Sequence, residues 1–449
     1  MSVMNTFLKG ETVSAAWNFS SKGIGLVNTF ITITSLSLYQ YGVFQLLLSF
    51  AGIPSDFLNL GSGLVSNEIS RAIGDNRIAD AKRIFIEYAL IRVVIMIGVW
   101  VTVFFGATHF FSAYDTSFVK DMRLISFLFL SEGLFMIIRT FCLVRLEFGI
   151  VALRTTITKF IQFLILGYFL LQGNLGLKQL IWSIIFSSAI SVVIISFKFF
   201  KVYSTWNHVK IPSKVLLWNI FLTYGTWDVT RQFANRVTFR IKPWLIKIFA
   251  STEAVAIFSI AETMVTTVQD VLPNNTLQSL VPLWVKDSTL SRKMFSYGVK
   301  YYAVMGIVLA VLAAFIIPSV THIFFSKYND SLQYFYFMLF NLPIFAVGII
   351  IGNYIIALRK QRYLLFLHVI RNICSLTIIT VGLYYVGLWG LALEFVVVPL
   401  MLVCINYWYT QSQDRGFHFD FKVIFSFNAQ DREIIKKSFL QMRQILLRY

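Results

Sequence analysis

Asp228, Arg231, Arg236, Arg240 and Lys242 fall inside one largely apolar segment near residues 217–248, with Lys247 at its end. An Arg or Lys at the centre of a lipid-facing helix costs roughly 2.5–3.5 kcal/mol on insertion scales, so such a set must face water or counter-charges. At about 100° per residue, Arg236, Arg240 and Lys247 share one stripe, while Asp228, Arg231, Asn235 and Lys242 share another. Guanidinium groups bind carboxylate and phosphate oxygens by charge-assisted, often bidentate hydrogen bonds. The chemistry on offer is anion recognition. For Arg231 and Lys242 the competing reading is pairing or snorkelling at the interfaces.

Carboxylates inside apolar segments are fewer. Asp56, Asp228, Glu262 and Asp270 are the candidates for carrying a coupling proton or sodium ion, since intramembrane carboxylates commonly mark ion routes. Against that, Asp56 lies two residues past Pro54 and could satisfy backbone freed there, and Glu132 has Arg139 seven residues on. Arg145 and Arg359, at span ends, read as topological anchors. No G-x-x-x-x-G-K-[ST] loop is present, so nothing supports ATP use by this chain. The five histidines and three cysteines lack metal-ligand spacing. No cofactor is expected beyond H+ or Na+ coupling, and no catalytic constellation points to an enzyme.

The elements that must position these residues are membrane helices. The chain is 57% hydrophobic and 13% charged, with mean hydropathy +0.72, against roughly 25% charged residues in soluble domains. Apolar runs of about 20 residues, each enough to cross a hydrocarbon core of roughly 30 Å, recur near 12–36, 41–66, 84–110, 123–145, 150–171 and 178–200. A second series lies near 217–248, 254–281, 297–325, 332–357, 364–386 and 388–410. The net charge of +18 sits in short clusters between spans, which argues against a nucleic-acid partner. Arg71, Arg77, Lys82 and Arg83, then Lys198, Lys201, Lys210 and Lys214, mark alternate loops as cytoplasmic. Both termini are then cytoplasmic, and the number of spans is even. The expected fold is an all-α polytopic membrane protein of about twelve transmembrane helices. It divides into a six-helix lobe at 1–203, a cytoplasmic linker at 204–216, a second six-helix lobe at 217–410 and a cytoplasmic tail at 411–449. Within that tail, Asp431–Leu447 has the pattern of an amphipathic helix attracted to anionic membrane lipids.

A shift of 214 positions aligns the halves. Phe110, Phe111, Ser112, Tyr114 fall on Phe324, Phe325, Ser326, Tyr328; Gly173 and Gly176 fall on Gly387 and Gly390; Asp56 falls on Asp270 and Lys22 on Arg236. Repeats of six spans each keep the same orientation, so a pseudo-two-fold axis along the membrane normal is expected, with the substrate path between repeats. By this symmetry Lys22 joins Arg231, Arg236, Arg240 and Lys242 as a substrate-binding candidate.

The run Tyr41-Gly42-Val43-Phe44-Gln45, Asp56, then Leu60-Gly61-Ser62-Gly63-Leu64 and a basic segment resembles the first hairpin of the O-antigen and polysaccharide flippases. These belong to the multidrug/oligosaccharidyl-lipid/polysaccharide exporter superfamily. The paired glycines at 173/176 and 387/390 resemble that family's short turns between the last two spans of each half. The resemblance implies a two-lobed transporter of the bacterial inner membrane. It would move an undecaprenyl-diphosphate-linked oligosaccharide by alternating access, with membrane lipids, a polysaccharide polymerase and chain-length proteins as further partners. The alternatives are an ion-coupled drug or metabolite antiporter and a polysaccharide polymerase. The outer loops look too short for the polymerase.

Overall fold

The structure is a computed structural model that describes residues 3–59, 61–112, 114–213, 216–217, 226–272, 288–357 and 361–413. Within these, the side chains of 3–16, 226–235, 237, 288–294, 356–357, 361 and 413 are not described. The described residues contain no strand. In lipid every backbone N–H and C=O must be satisfied within the segment, which long apolar runs achieve as helices. The helices are α1 (Val3–Ser35), α2 (Leu38–Asn59), α3 (Ser62–Gly74), α4 (Ile78–Phe110), α5 (Thr116–Ser126), α6 (Leu128–Val144), α7 (Phe148–Leu171) and α8 (Leu177–Tyr203). They continue with α9 (Thr226–Phe249), α10 (Thr252–Gln269), α11 (Ser288–Phe324), α12 (Ser331–Met338), α13 (Asn341–Ala357), α14 (Gln361–Val386) and α15 (Leu388–Gln413).

Within the described residues, each expected span contains one helix or a pair. Among the described residues, eight spans are long and apolar enough to cross a membrane, and a ninth is added if the bent pair α12–α13 counts as one. α1, α9 and α10 are not among them, and α9 carries the charges that set the site. Three expected spans are broken: α2 gives way to α3, α5 to α6, and α12 to α13 with a 43° bend. Gly61 marks the first break, with φ at +74°, a conformation glycine adopts at no steric cost. Gly173 and Gly387, 214 positions apart, both have left-handed φ, +68° and +60°. Each follows the C-terminus of its helix, where such a turn closes the last free carbonyls. The repeat seen in the letters is thus repeated in the backbone.

Pro54 lies inside α2 and Pro243 inside α9, as do Pro318 in α11 and Pro399 in α15. Pro343 occupies the first turn of α13, where a missing N–H costs nothing. Pro273, the tail from 414 and its expected amphipathic helix lie outside the described residues.

The chain forms two compact units. The first comprises Met1–Ser259, Phe324–Asn329 and Ile379–Leu388. In it α1 packs along α7, α7 on α8, α4 on α3 and α6, and α2 on α9. Phe85, Phe141, Phe199 and Trp206 fill a buried cluster. The connection that leads toward α9 is clamped to the start of α4. Lys82 Nζ donates to the Trp206 and Val209 carbonyls at 2.8 and 2.9 Å, and the Leu216 and Leu217 N–H groups donate to Glu87 Oε2. The second unit comprises Ile260–Ile323, Asp330–Ile378 and Trp389–Tyr449. Its core holds Phe295, Ile350 and Tyr354, and Gly306 lets α11 approach Pro343, where a Cβ would fall 2.7 Å from Cα.

Candidate functional site

Ser49, Gly52 and Asp56 recur at i, i+3 and i+7 and so lie on one face of α2. The two small residues admit α9. Ser49 Oγ donates to the Arg240 carbonyl at 2.6 Å, which fixes α9 against that face. Asp56 then meets two cations at once. Arg236 Nη1 donates to Oδ1 at 2.5 Å and Arg240 Nε donates to Oδ2 at 2.8 Å. One carboxylate between two guanidinium groups leaves one positive charge uncompensated within the trio. Asp56 is largely buried, with its side chain 14% exposed, against 25% for Arg240 and 41% for Arg236. The outermost arginine is therefore the one most open to a ligand.

A cavity of about 240 Å³ opens beside the trio, lined by α2 from Leu48 to Asn59, by Leu128, Glu132 and Met136 of α6, and by Arg240. Drug-sized ligands take about 300–1,000 Å³, so this space suits an ionic head or water but not a sugar chain. Glu132 on its wall does not pair with Arg139, which lies against Met136 Sδ instead. Its Oε1 accepts from Arg154 Nη2 on α7 and from Ser188 Oγ on α8, the latter at 2.9 Å. Arg154 also donates to Ser188 at 2.8 Å and lies over the Phe135 ring at 4.2 Å. The Glu132 carboxylate is committed to a structural ion pair. Asp56 likewise takes two arginines in place of backbone near Pro54.

Of the sequence candidates, the structure brings Asp56, Arg236 and Arg240 together. Lys242 is buried on α9, its Nζ 5.8 Å from the Phe258 ring. Lys22 is exposed on α1, Glu262 is half-buried on α10, and Asp270 is exposed just past the end of α10. The side chains of Asp228 and Arg231 lie outside those described. Sequence reading missed Gly52, Ser49, Arg154 and Ser188. The spacing of Ser49 and Gly52 before Asp56 was a usable signal, and Arg154 stood out as a cation inside an apolar run.

A family model described as polysaccharide biosynthesis protein matches residues 7–287. The chain belongs to this family. No curated protein matches the sequence significantly. Among solved structures, the inward-facing conformation of a multidrug resistance MATE family transporter of the MOP superfamily is similar, with TM-score 0.70 and 12% identity over 89% of this chain and 98% of that one. An outward-facing MATE family transporter of the MOP superfamily gives TM-score 0.63 at 12% identity, covering 92% and 94%. A MATE structure in complex with MaL6 gives 0.66 at 12% identity, covering 92% and 96%. At such identity the likeness establishes the fold. This polysaccharide biosynthesis family member is a multi-pass, all-α membrane protein with about twelve membrane-spanning helices in two lobes, a fold it shares with the MATE family transporters.

Proposed function

We propose that the protein flips an undecaprenyl-diphosphate-linked oligosaccharide, such as an O-antigen or other surface polysaccharide repeat unit, across the bacterial inner membrane, with both termini in the cytoplasm. The observation that carries this reading is Asp56 shared between Arg236 and Arg240, the latter also lining a small cavity. Two guanidinium groups already spaced to hold the two oxygens of one carboxylate are preorganised for the oxygens of a diphosphate. The incoming head offers more negative charge than Asp56, so it competes for Arg236 first, the more exposed of the pair. The cavity takes the charged head only. The sugar is carried across with that head between the alternating lobes, and the polyprenyl chain stays in lipid. A positively charged trio repels cationic drugs, which weighs against the drug-antiporter reading.

The test is surface polysaccharide in cells lacking the native copy, with variant abundance measured in parallel. Arg236→Ala and Arg240→Ala are each expected to impair export while leaving protein level and insertion intact. Arg236→Lys keeps charge but loses the bidentate fork, so partial function is expected. Near-normal polysaccharide in the Lys22→Ala/Arg236→Ala/Arg240→Ala variant would contradict the reading.

A further inference from the structure

Two aromatic contacts in the first unit exchange under the shift that relates the repeats. Phe111, just past the C-terminus of α4, stacks on Trp244 of α9 with centroids 5.9 Å apart and planes at 29°. Adding 214 to Phe111 gives Phe325, and subtracting it from Trp244 gives Phe30. Phe325 meets Phe30 edge-on at 4.9 Å. Each contact therefore joins the loop after the third span of one repeat to the first span of the other, and each is the image of its partner. This is the relation expected of an isologous, two-fold interface.

Each contact is reinforced. Tyr114 and Phe118 add their rings to Trp244 at 6.0 and 6.3 Å, and Lys247 Nζ lies 3.5 Å from the Tyr114 centroid. On the other side Phe324 also meets Phe30, Tyr328 meets Tyr41 at 5.9 Å, and Lys327 Nζ donates to the carbonyls of Thr34 and Leu36. Those carbonyls belong to the last turn of α1 and its end, where helical partners run out. Phe111 and Tyr328 are buried. Burial pushes the Tyr114 and Tyr328 phenols up and the Lys327 ammonium down, as expected for groups withdrawn from water. The lysines are not repeat partners, since Ala113 stands opposite Lys327 and Ile33 opposite Lys247, so each latch has acquired its cation separately.

All the helix ends involved are C-terminal ends of α1, α4, α9 and α11, and the charge pattern of the loops assigns these ends to the outer face. We propose that the two contacts are the paired latches of an outer gate, and that both must part for the transporter to open outward. The inference rests on the alternating-access reading above. It explains why bulky aromatics sit at matching loop positions in both repeats, and why neither latch is a covalent or multiply charged bond that thermal motion could not release.

The experiment uses full-length protein in which Cys142, Cys374 and Cys404 are replaced by Ser, with Ser55→Cys as a reporter on the cavity wall. Two pairs are added separately: Phe111→Cys with Trp244→Cys, and Phe30→Cys with Phe325→Cys. Oxidation is expected to crosslink each pair, and labelling of the reporter by an impermeant maleimide from outside is expected to fall at least ~10-fold. Reduction is expected to restore it, and the single-cysteine loop variants to label normally. Failure of either pair to crosslink, or normal labelling with either latch crosslinked, overturns the gate. The readout needs no substrate, so a flippase reading lost through the arginine variants leaves this result standing. A reporter that never labels from outside, even in reduced protein, overturns outward opening and the gate with it.

Discussion

Gly52 and Arg240 occupy one another's space: a Cβ placed on Gly52 would lie 2.1 Å from Arg240 Cζ. The glycine on α2 is what lets the guanidinium of α9 reach Asp56 one turn further on. Gly52→Ala is therefore expected to evict the guanidinium and reproduce the export defect of Arg240→Ala. A hydrogen bond to a charged group contributes about 1.5–3 kcal/mol, so the loss in head-group affinity is roughly 10-fold or more. Gly63→Ala, whose Cβ meets nothing within 4 Å, serves as control and is expected to leave surface polysaccharide within about two-fold of the parent, because an exposed helical alanine is tolerated.

Asp56 is expected to couple unequally to its two arginines. Arg240 is the less exposed partner and Arg236 the more solvent-screened. Double-mutant cycles on thermal stability of purified protein, pairing Asp56→Asn with Arg240→Gln and separately with Arg236→Gln, are expected to give the larger coupling for Arg240, on the order of 1–3 kcal/mol. Purely additive effects would mean that the trio is not a cooperating unit, and equal couplings would contradict the ranking by exposure.

Glu132 and Arg154 are expected to behave as structure. Removing one member of a buried pair leaves an uncompensated charge and costs about 3–5 kcal/mol, whereas replacing both by apolar residues is often close to neutral. Arg154→Met alone is expected to lower the melting temperature and cell abundance together, and Arg154→Met with Glu132→Leu to recover much of both. If Arg154→Met abolished export at normal abundance and melting temperature, the pair would belong to the transport path.

The charge pattern predicts that the loops divide by face. Cysteines at Arg77, in the loop before α4, and at Asn207, in the connection that Lys82 and Glu87 of α4 clamp, are expected to resist an impermeant reagent from outside. Those at Ser117 and Asn174 are expected to react. Labelling in the opposite sense would invert the orientation and move the aromatic latches to the cytoplasmic face.

Much of the fold was legible because lipid imposes a simple rule: each apolar run must become a helix, so twelve runs located the helices. The left-handed pair Gly173 and Gly387 was legible through the repeat. The helix breaks were not, since apolar content does not change at Phe127 or near Leu339, and only Gly61 signals its break in the sequence. α9 was recognised by its cations, but their partner was not. Asp56 lies 180 residues from Arg236, and sequence spacing carries no information on which distant helix packs beside α2. Glu132 shows the same limit: Arg139 shares its helix, yet the geometry of α7 and α8 supplies Arg154 and Ser188.

Recognition of a diphosphate head by Arg236 and Arg240 is tested by translocation in reconstituted vesicles. Purified protein is inserted into liposomes carrying an undecaprenyl-diphosphate-linked sugar in one leaflet, and arrival in the other is read by an impermeant enzyme that modifies the sugar. The parent protein is expected to move the lipid, inorganic pyrophosphate to compete, and Arg236→Ala/Arg240→Ala to reduce transfer at least ~10-fold, in line with the loss of charge-assisted hydrogen bonds. Transfer by the double variant at the parent rate, or no transfer by a parent protein shown to be folded and inserted, would contradict the account.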